Sequence, residues 1–142
     1  GGSGVAPVLH LASNSGLPAS GMQVILGART AADHIPAGHF SEFSTCHYTT
    51  DDGSMGTKGV VTDHPLFVDL KQFSRIYACG PLPMMKAVAA AAQKAGVDCE
   101  VSLENLMACG FGVCLCCIEP TVKGNLCVCT EGPVFNINDL KW

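Results

Sequence analysis

Residues 73–96 read "FSRIYACGPLPMMKAVAAAAQKAG" and form the clearest structural unit in the sequence. Its apolar start predicts a strand over Ile76–Cys79, Gly80-Pro81 predicts a turn, and the alanine-rich run predicts a helix over Pro83–Ala95. Gly96 stands directly after that run, where a glycine in the left-handed conformation ends many helices. A strand, a tight turn and a helix in this order are the repeating unit of a parallel α/β sheet.

The residues before this stretch repeat the same alternation. An apolar run that begins around Pro7 predicts a helix, and "MQVILGART" over Met22–Thr30 predicts a buried parallel strand. A further strand is predicted at Cys46–Thr49, and "VDCEVSLE" after the long helix predicts the last one. The sequence therefore predicts an α/β fold with a Rossmann-like parallel sheet.

The chain begins at a glycine-rich turn, "GGSGVAP", which leads directly into the first predicted helix. Such a turn binds the pyrophosphate of a dinucleotide, because its backbone N–H groups point at the anion and glycine lets it approach closely. The plainer interpretation of Gly1–Gly4 is a flexible remnant of the expression sequence. The turn normally follows the first, central strand of the sheet, which is missing here. We therefore expect a longer parent protein or another chain to supply that strand, and the isolated chain to self-associate.

Composition narrows the possible functions. The chain is 48% hydrophobic and only 14% charged, which is enough apolar material for a real core. Lysine and arginine form no cluster, so the sequence argues against partners such as nucleic acid or an anionic membrane surface. No segment resembles a signal peptide or a membrane span, so we expect a cytoplasmic protein. The five histidines have no ligand spacing and are expected to lie at the surface or in packing contacts.

Six of the nine cysteines lie between Cys109 and Cys129, and in a cytoplasmic chain this density indicates metal ligation. Cys109, Cys114 and Cys117 have the spacing C-x4-C-x2-C, which is typical of a [2Fe–2S] cluster with a later fourth cysteine. Spacing alone leaves Cys127 and Cys129 open as the fourth ligand. The alternative is a structural zinc site formed by Cys114, Cys117, Cys127 and Cys129. Cys46 and Cys99 are expected to be small buried hydrophobic residues.

Several stretches together resemble the electron-transfer subunit of class 1B dihydroorotate dehydrogenase, a member of the ferredoxin–NADP reductase superfamily. They cover nearly the whole chain and read "GGSGVAP", "TDDGSMGTKGVVTD", "YACGPLPMMKAV", "VSLENLMACGFGVCLCC" and "VCTEGPVF". The resemblance implies a nucleotide-binding lobe over residues 1–103 and a [2Fe–2S] domain over residues 104–142. It also implies that Cys129, which precedes "TEGPVF", is the fourth ligand of the cluster.

The resemblance further implies two loops that bind NAD and a separate site that binds its adenosine half. The first loop is the glycine turn, with Gly1, Gly2, Gly4 and Pro7, and the second is Cys79-Gly80-Pro81, with Cys79 beside the nicotinamide. Arg29 and the turn Asp51–Ser54 are implied to hold the adenosine. Asp51 or Asp52 suits a ribose hydroxyl, although capping of the turn explains these carboxylates equally well. Cys79 has a plainer interpretation too, as a buried cysteine at the end of a strand.

The function implied is a relay of electrons in pyrimidine biosynthesis, from an FMN-containing dihydroorotate dehydrogenase catalytic subunit through [2Fe–2S] and FAD to NAD. FAD is bound mainly by a β-barrel domain that this chain lacks, so the chain is expected to be one part of an NAD-linked oxidoreductase complex. One alternative is a reductase subunit of a sulfhydrogenase or of an NADH-dependent ferredoxin:NADP oxidoreductase. Another is a module without catalysis that binds nucleotide or is held together by zinc.

Overall fold

The structure, a computed structural model, describes residues 2–142 apart from the side chain of Ala37. The chain divides into two compact units, Gly1–Leu70 and Lys71–Trp142. The helices and strands of the described residues are α1 (Val5–Asn14), β1 (Gln23–Ala28), β2 (Thr45–Thr50), β3 (Thr57–Lys58), β4 (Arg75–Cys79), α2 (Leu82–Ala95), β5 (Asp98–Ser102), β6 (Ile118–Thr121), β7 (Gly124–Cys127), α3 (Val128–Glu131) and β8 (Val134–Asn136).

The first unit is a three-stranded parallel sheet in the order β1-β2-β3. Helix α1 packs on it because its apolar positions recur at helical spacing, which places Val5, Val8 and Leu9 on one face. These side chains pack against a core that includes Val24 and Leu26 of β1. The predicted strands at 22–30 and 46–49 and the predicted first helix are thereby confirmed.

The second unit contains the strand, turn and helix predicted from residues 73–96. Strands β4 and β5 pair in parallel, and β8 adds to β5 in the antiparallel direction. Helix α2 contacts both parallel strands and buries Met85, Val88 and Ala92. It ends at Gly96, whose φ of 71° is left-handed, as the sequence predicted. The antiparallel strand β8 was not foreseen, because its three residues are too few for a periodic pattern.

A two-stranded antiparallel hairpin, β6–β7, follows the cysteine-rich loop. Its register pairs Ile118 with Cys127, so the two ends of the hairpin lie side by side. Thr121 near its tip is buried, and its hydroxyl donates to the carbonyl of Gly124 at 2.7 Å. The short helix α3 begins directly after β7, so the hairpin returns the chain to the cysteine-rich loop.

Each three-stranded sheet ends on both sides in an edge strand, and β1 and β4 are two of these strands. Within residues 2–142, β1 pairs only with β2, and β4 pairs only with β5. Unpaired strand edges favour association with another strand, which is the physical basis for the self-association that the sequence predicts. That expectation stays a prediction, as does the division of the chain after residue 103. No helix among the described residues is both long and apolar enough to cross a membrane.

The close packing of Gly27 on β1 gives a direct test of the first unit. A Cβ added at Gly27 would lie 2.6 Å from Val61 Cγ1 and 3.3 Å from the Thr49 hydroxyl oxygen. We expect Gly27→Ala to lower the free energy of unfolding by about 1–3 kcal/mol, because overpacking forces its neighbours to move. Urea denaturation measures the change. The control is Gly38→Ala, where an added Cβ meets nothing within 4 Å; equal effects of the two changes would contradict the packing described here.

Candidate iron–sulfur and nucleotide sites

The cysteine-rich loop connects β5 to β6 and contains Cys109, Cys114 and Cys117. Its first part turns through Gly110 and Gly112, whose φ values of 75° and 83° are left-handed and suit glycine. These turns let backbone N–H groups point toward sulfur. Cys129 lies outside the loop, in α3, and the hairpin β6–β7 brings it back to Cys117.

Cys109 and Cys114 form one close pair. The backbone N–H of Cys114 donates to Cys109 Sγ at 3.4 Å. Backbone N–H groups of Cys114 and Phe111 stabilise the thiolate and lower the pKa of Cys109 to about 6. Cys109 is therefore prepared as an anionic ligand before any metal binds, because metal ligation requires the deprotonated thiol.

Cys117 and Cys129 form a second close pair with the same chemistry. The backbone N–H of Cys129 donates to Cys117 Sγ at 3.5 Å, and the N–H of Val128 donates to the carbonyl of Cys117 at 3.0 Å. The hydrogen bond from the Cys129 N–H is the main cause that lowers the pKa of the Cys117 thiol. The pKa of Cys129 is raised, mainly through its side-chain hydrogen bond to Cys117.

The two remaining cysteines of the segment differ from these pairs. Cys116 is exposed, and its pKa is raised mainly by a hydrogen bond with the Cys114 side chain. Cys127 is half-buried, its thiol lies 4.0 Å from the carbonyl oxygen of Gly112, and its pKa is raised mainly by burial. Neither sulfur accepts a backbone N–H hydrogen bond in residues 2–142 that would stabilise a thiolate, which separates both from Cys109 and Cys117.

The grouping of the cysteines indicates which kind of metal centre they can hold. Within residues 2–142, no three His, Cys, Asp or Glu side chains are grouped closely enough to hold a single metal ion. A four-cysteine zinc site needs four ligands around one ion. A [2Fe–2S] cluster distributes its four ligands over two irons, so two pairs of cysteines suffice. The two pairs described above supply the number of thiolates that a binuclear cluster needs.

At the carboxyl edge of the first sheet, Arg29 and Asp51 follow directly after paired strand residues. Ala28 of β1 lies opposite Thr50 of β2, and the N–H of Asp51 donates to the carbonyl of Ala28 at 3.2 Å. The side chains of Arg29 and Asp51 are exposed, and within residues 2–142 neither makes an ion pair or a side-chain hydrogen bond. Both charges are free to meet a ligand.

The carboxylate of Asp52, unlike that of Asp51, is hydrogen-bonded within its own turn. Its Oδ1 accepts hydrogen bonds from the N–H of Ser54 at 2.9 Å and from the Ser54 hydroxyl at 2.6 Å. These bonds lower the pKa of the Asp52 carboxyl. Ser54 Oγ also accepts the N–H of Ala31 at 2.8 Å, so it connects the loop after β2 to the loop after β1. Asp52 therefore caps its turn, one of the two interpretations left open by the sequence.

The predicted dinucleotide loops lie in different units. Gly2–Gly4 forms a single 3-10 turn that leads into α1, with Gly4 buried and Pro7 in the first helical turn, while Gly1 lies outside the described residues. In the second unit, Cys79 and Gly80 are buried at the end of β4, Gly80 has a φ of 146°, and Pro81 is exposed. Their joint action on one nucleotide stays a prediction.

Cys79 has a polar neighbour that sequence reasoning did not single out. Its thiol lies 3.9 Å from Oε1 of Glu104, which follows β5. Burial is the main cause that raises the pKa of the Cys79 thiol, so it is neutral near pH 7. Sequence reasoning included Ser54 only as part of the Asp51–Ser54 turn. Its bonds to Asp52 and Ala31, like the contact of Glu104 with Cys79, depend on the folded structure, so no local spacing reveals them.

Comparison with known proteins agrees with this geometry. Residues 104–141 match the family model described as the iron–sulfur cluster binding domain of dihydroorotate dehydrogenase B. The chain is 38% identical over its whole length to the probable dihydroorotate dehydrogenase B (NAD(+)), electron transfer subunit of Methanocaldococcus jannaschii, and 37% identical to the Listeria monocytogenes protein over 99% of the chain. It covers 55% and 56% of those two proteins. The chain thus spans about half the length of the curated relatives it matches.

A solved structure described as the NADH-dependent reduced ferredoxin-NADP oxidoreductase is also similar. It matches 99% of this chain with a TM-score of 0.81 and 32% identity, and 51% of its own chain is covered. The fold and the cysteine pairs define an α/β redox protein with an iron–sulfur cluster binding domain. More particularly, residues 104–141 match the iron–sulfur cluster binding domain of dihydroorotate dehydrogenase B, and the chain as a whole is similar to about half the length of electron-transfer subunits of that enzyme.

Proposed function

We propose that this chain is the nucleotide-binding and cluster-binding part of an electron-transfer subunit that serves a dihydroorotate-oxidising flavin subunit in pyrimidine biosynthesis. The observation that carries the proposal is the presence of two cysteine pairs, each with a backbone N–H directed at sulfur, inside the matched segment. The cofactors of the proposal are [2Fe–2S], NAD and FAD, and no residue of this chain is assigned to FAD.

The cluster ligands in this proposal are Cys109 and Cys114 for one iron, and Cys117 and Cys129 for the other. When bound, the cluster carries one electron at a time. The protein contributes the four thiolates and the N–H groups that stabilise their charge. Hydrogen bonds to the sulfurs are among the factors that set the reduction potential of such clusters.

Serine substitutions test the fourth ligand. We expect Cys129→Ser to remove at least half of the iron and sulfide that the wild-type chain binds, because one iron loses a thiolate. Cys127→Ser is the matched control and should retain two irons and two sulfides per chain. Anaerobic preparation, followed by iron, sulfide and zinc analysis and a visible spectrum, gives the result. Zinc without sulfide in the wild-type chain would refute the cluster. Loss of iron and sulfide in Cys127→Ser, with both retained in Cys129→Ser, would make Cys127 the fourth ligand.

For the nucleotide we propose that Asp51 is the residue that accepts the ribose hydroxyls, with the Arg29 guanidinium beside it against the adenine or the phosphates. Their positions directly after Ala28 and Thr50 place them next to each other at the carboxyl ends of parallel strands, where α/β sheets bind ligands. The free carboxylate of Asp51 supports this choice over Asp52, whose Oδ1 is occupied by Ser54. As separate proposals for each unit, the glycine turn in the first unit and Cys79-Gly80-Pro81 in the second unit are further NAD contacts.

Two asparagine substitutions separate these roles. Asp51→Asn should weaken NADH binding about tenfold, since a hydrogen bond to a charged group contributes about 1.5–3 kcal/mol. Asp52→Asn should leave the affinity within about twofold, because the amide oxygen still accepts both hydrogen bonds from Ser54. Fluorescence titration of each variant with NADH measures both. Weaker binding by Asp52→Asn than by Asp51→Asn would reverse the assignment.

The exposed apolar side chains around the cysteine loop support a partner protein at this end of the second unit. They are Leu106, Met107, Phe111, Val113 and Leu115. Leu106 is 83% exposed and Phe111 is 67% exposed, which is costly in water unless a partner covers them. We propose that these residues dock the FMN-containing catalytic subunit. Such docking would bring the proposed cluster ligands close to the partner's flavin.

Polar replacements in this patch test the docking. We expect Leu106→Ser and Phe111→Ser each to weaken binding of the FMN-containing catalytic subunit about tenfold, as loss of an apolar anchor does at protein interfaces. Val122→Ser is the control, because Val122 is 61% exposed but lies at the turn of the β6–β7 hairpin. Sedimentation velocity with cluster-loaded protein measures the affinities. Unchanged affinity in both patch variants would place the partner elsewhere.

A second candidate function is favoured by the solved structure described above. In that case the partner is a subunit of an NADH-dependent ferredoxin:NADP oxidoreductase rather than a dihydroorotate-oxidising subunit. The two candidates share the cysteine pairs and the nucleotide loops, so only the partner separates them. Specific binding of the dihydroorotate-oxidising subunit, with dihydroorotate-dependent reduction of NAD by the complex, supports the first candidate. Binding only to the other class of partner supports the second.

A further inference from the structure

Glu131 holds the short helix that carries the fourth cysteine. One of its carboxylate oxygens, Oε2, accepts the backbone N–H of Cys127 at 2.8 Å and the hydroxyl of Thr130 at 2.6 Å. Cys127 precedes Val128–Glu131 and leaves its N–H without a helical partner, as at any helix start. The carboxylate supplies that partner, so a single oxygen connects the beginning of the turn to its end.

Thr130 extends this connection to the other half of the cysteine segment. A Cβ added at Gly112 would lie 3.2 Å from Thr130 Cγ2, so the threonine side chain packs directly over that glycine. Gly112 lies between Cys109 and Cys114 and has a left-handed φ of 83°. The Thr130 hydroxyl lies 2.6 Å from Glu131 Oε2 and 3.4 Å from the carbonyl oxygen of Cys127, and the shorter of these hydrogen bonds favours the rotamer that makes this contact. Glu131 therefore aligns the turn of Cys129 with the loop of the other three cysteines.

The position of this turn decides how Cys129 meets Cys117. The N–H groups of Val128 and Cys129 are both directed at Cys117, one at its carbonyl and one at its sulfur. If the turn opened, both hydrogen bonds would lengthen and the second cysteine pair would separate. Because Oε2 of Glu131 accepts the N–H of Cys127, two residues before Cys129, its negative charge lies close to the second cysteine pair.

We propose that Glu131 is a positioning residue of the cluster site, whose carboxylate fixes the Cys129 turn against the Cys109–Cys117 loop and places a negative charge beside the thiolates. The inference rests on the proposed cluster. A fixed negative charge disfavours the reduced cluster, which carries one more electron than the oxidised form. Glu131 should therefore keep the midpoint potential lower than it would be with a neutral side chain.

Two substitutions separate the hydrogen bonds from the charge. In Glu131→Gln the amide oxygen can still accept both hydrogen bonds, so iron and sulfide content should match the wild type while the midpoint potential shifts to a more positive value. In Glu131→Ala both hydrogen bonds are lost, and at least half of the bound iron and sulfide should be lost. Asp139→Asn is the control, because it neutralises a carboxylate of the same unit that pairs with Lys123 at 2.9 Å.

The measurements are iron and sulfide analysis of the full chain prepared anaerobically, and a redox titration followed by electron paramagnetic resonance. Full cluster content in Glu131→Ala would overturn the proposal. An unchanged potential in Glu131→Gln, or an equal shift in Asp139→Asn, would overturn it as well. A wild-type chain that binds no iron and sulfide would refute the proposed function itself, and this inference with it.

Discussion

Parallel pairing of neighbouring strands is the interaction on which both units depend. In the first unit it places Arg29 and Asp51 at one edge, directly after Ala28 and Thr50. In the second unit it places Cys79 opposite Ser102, so that Glu104 and the cysteine loop leave the sheet beside the Cys79 turn. Because the carboxyl ends of parallel strands share one edge, residues distant in sequence meet there without long connections. Each proposed site of this chain begins at such an edge.

The cysteine segment solves a different physical problem. Several thiolates close together repel one another, and the segment offsets this repulsion with backbone N–H groups directed at Cys109 and Cys117. Left-handed glycines make that orientation possible in the first pair. A hairpin and a short helix provide it in the second. Both cysteine pairs therefore have a backbone N–H that donates to a sulfur, although the backbone around each pair differs. The contact of Thr130 with Gly112 connects the two pairs.

Much of the fold could be predicted from the sequence, because apolar runs, glycine turns and the alanine-rich helix act locally. Gly96 and the spacing of Cys109, Cys114 and Cys117 are examples in which a few neighbouring residues carry the whole signal. The antiparallel strand β8 and the roles of Ser54 and Glu131 could not be predicted. Ser54 bonds to Ala31, 23 residues earlier in the chain. Asp51 and Asp52 are adjacent and chemically identical, so only their hydrogen-bond partners distinguish them.

The hairpin β6–β7 has a consequence for how this segment can change in length. Its register pairs Ile118 with Cys127, and the next residues, Cys117 and Val128, are joined by a backbone hydrogen bond of 3.0 Å. The separation of Cys117 from Cys129 is therefore fixed at the base of the hairpin and does not depend on its tip. A change of length at the tip would disturb the ion pair of Lys123 with Asp139, but it would leave the two contacts at the base, and with them the spacing of the ligands, in place.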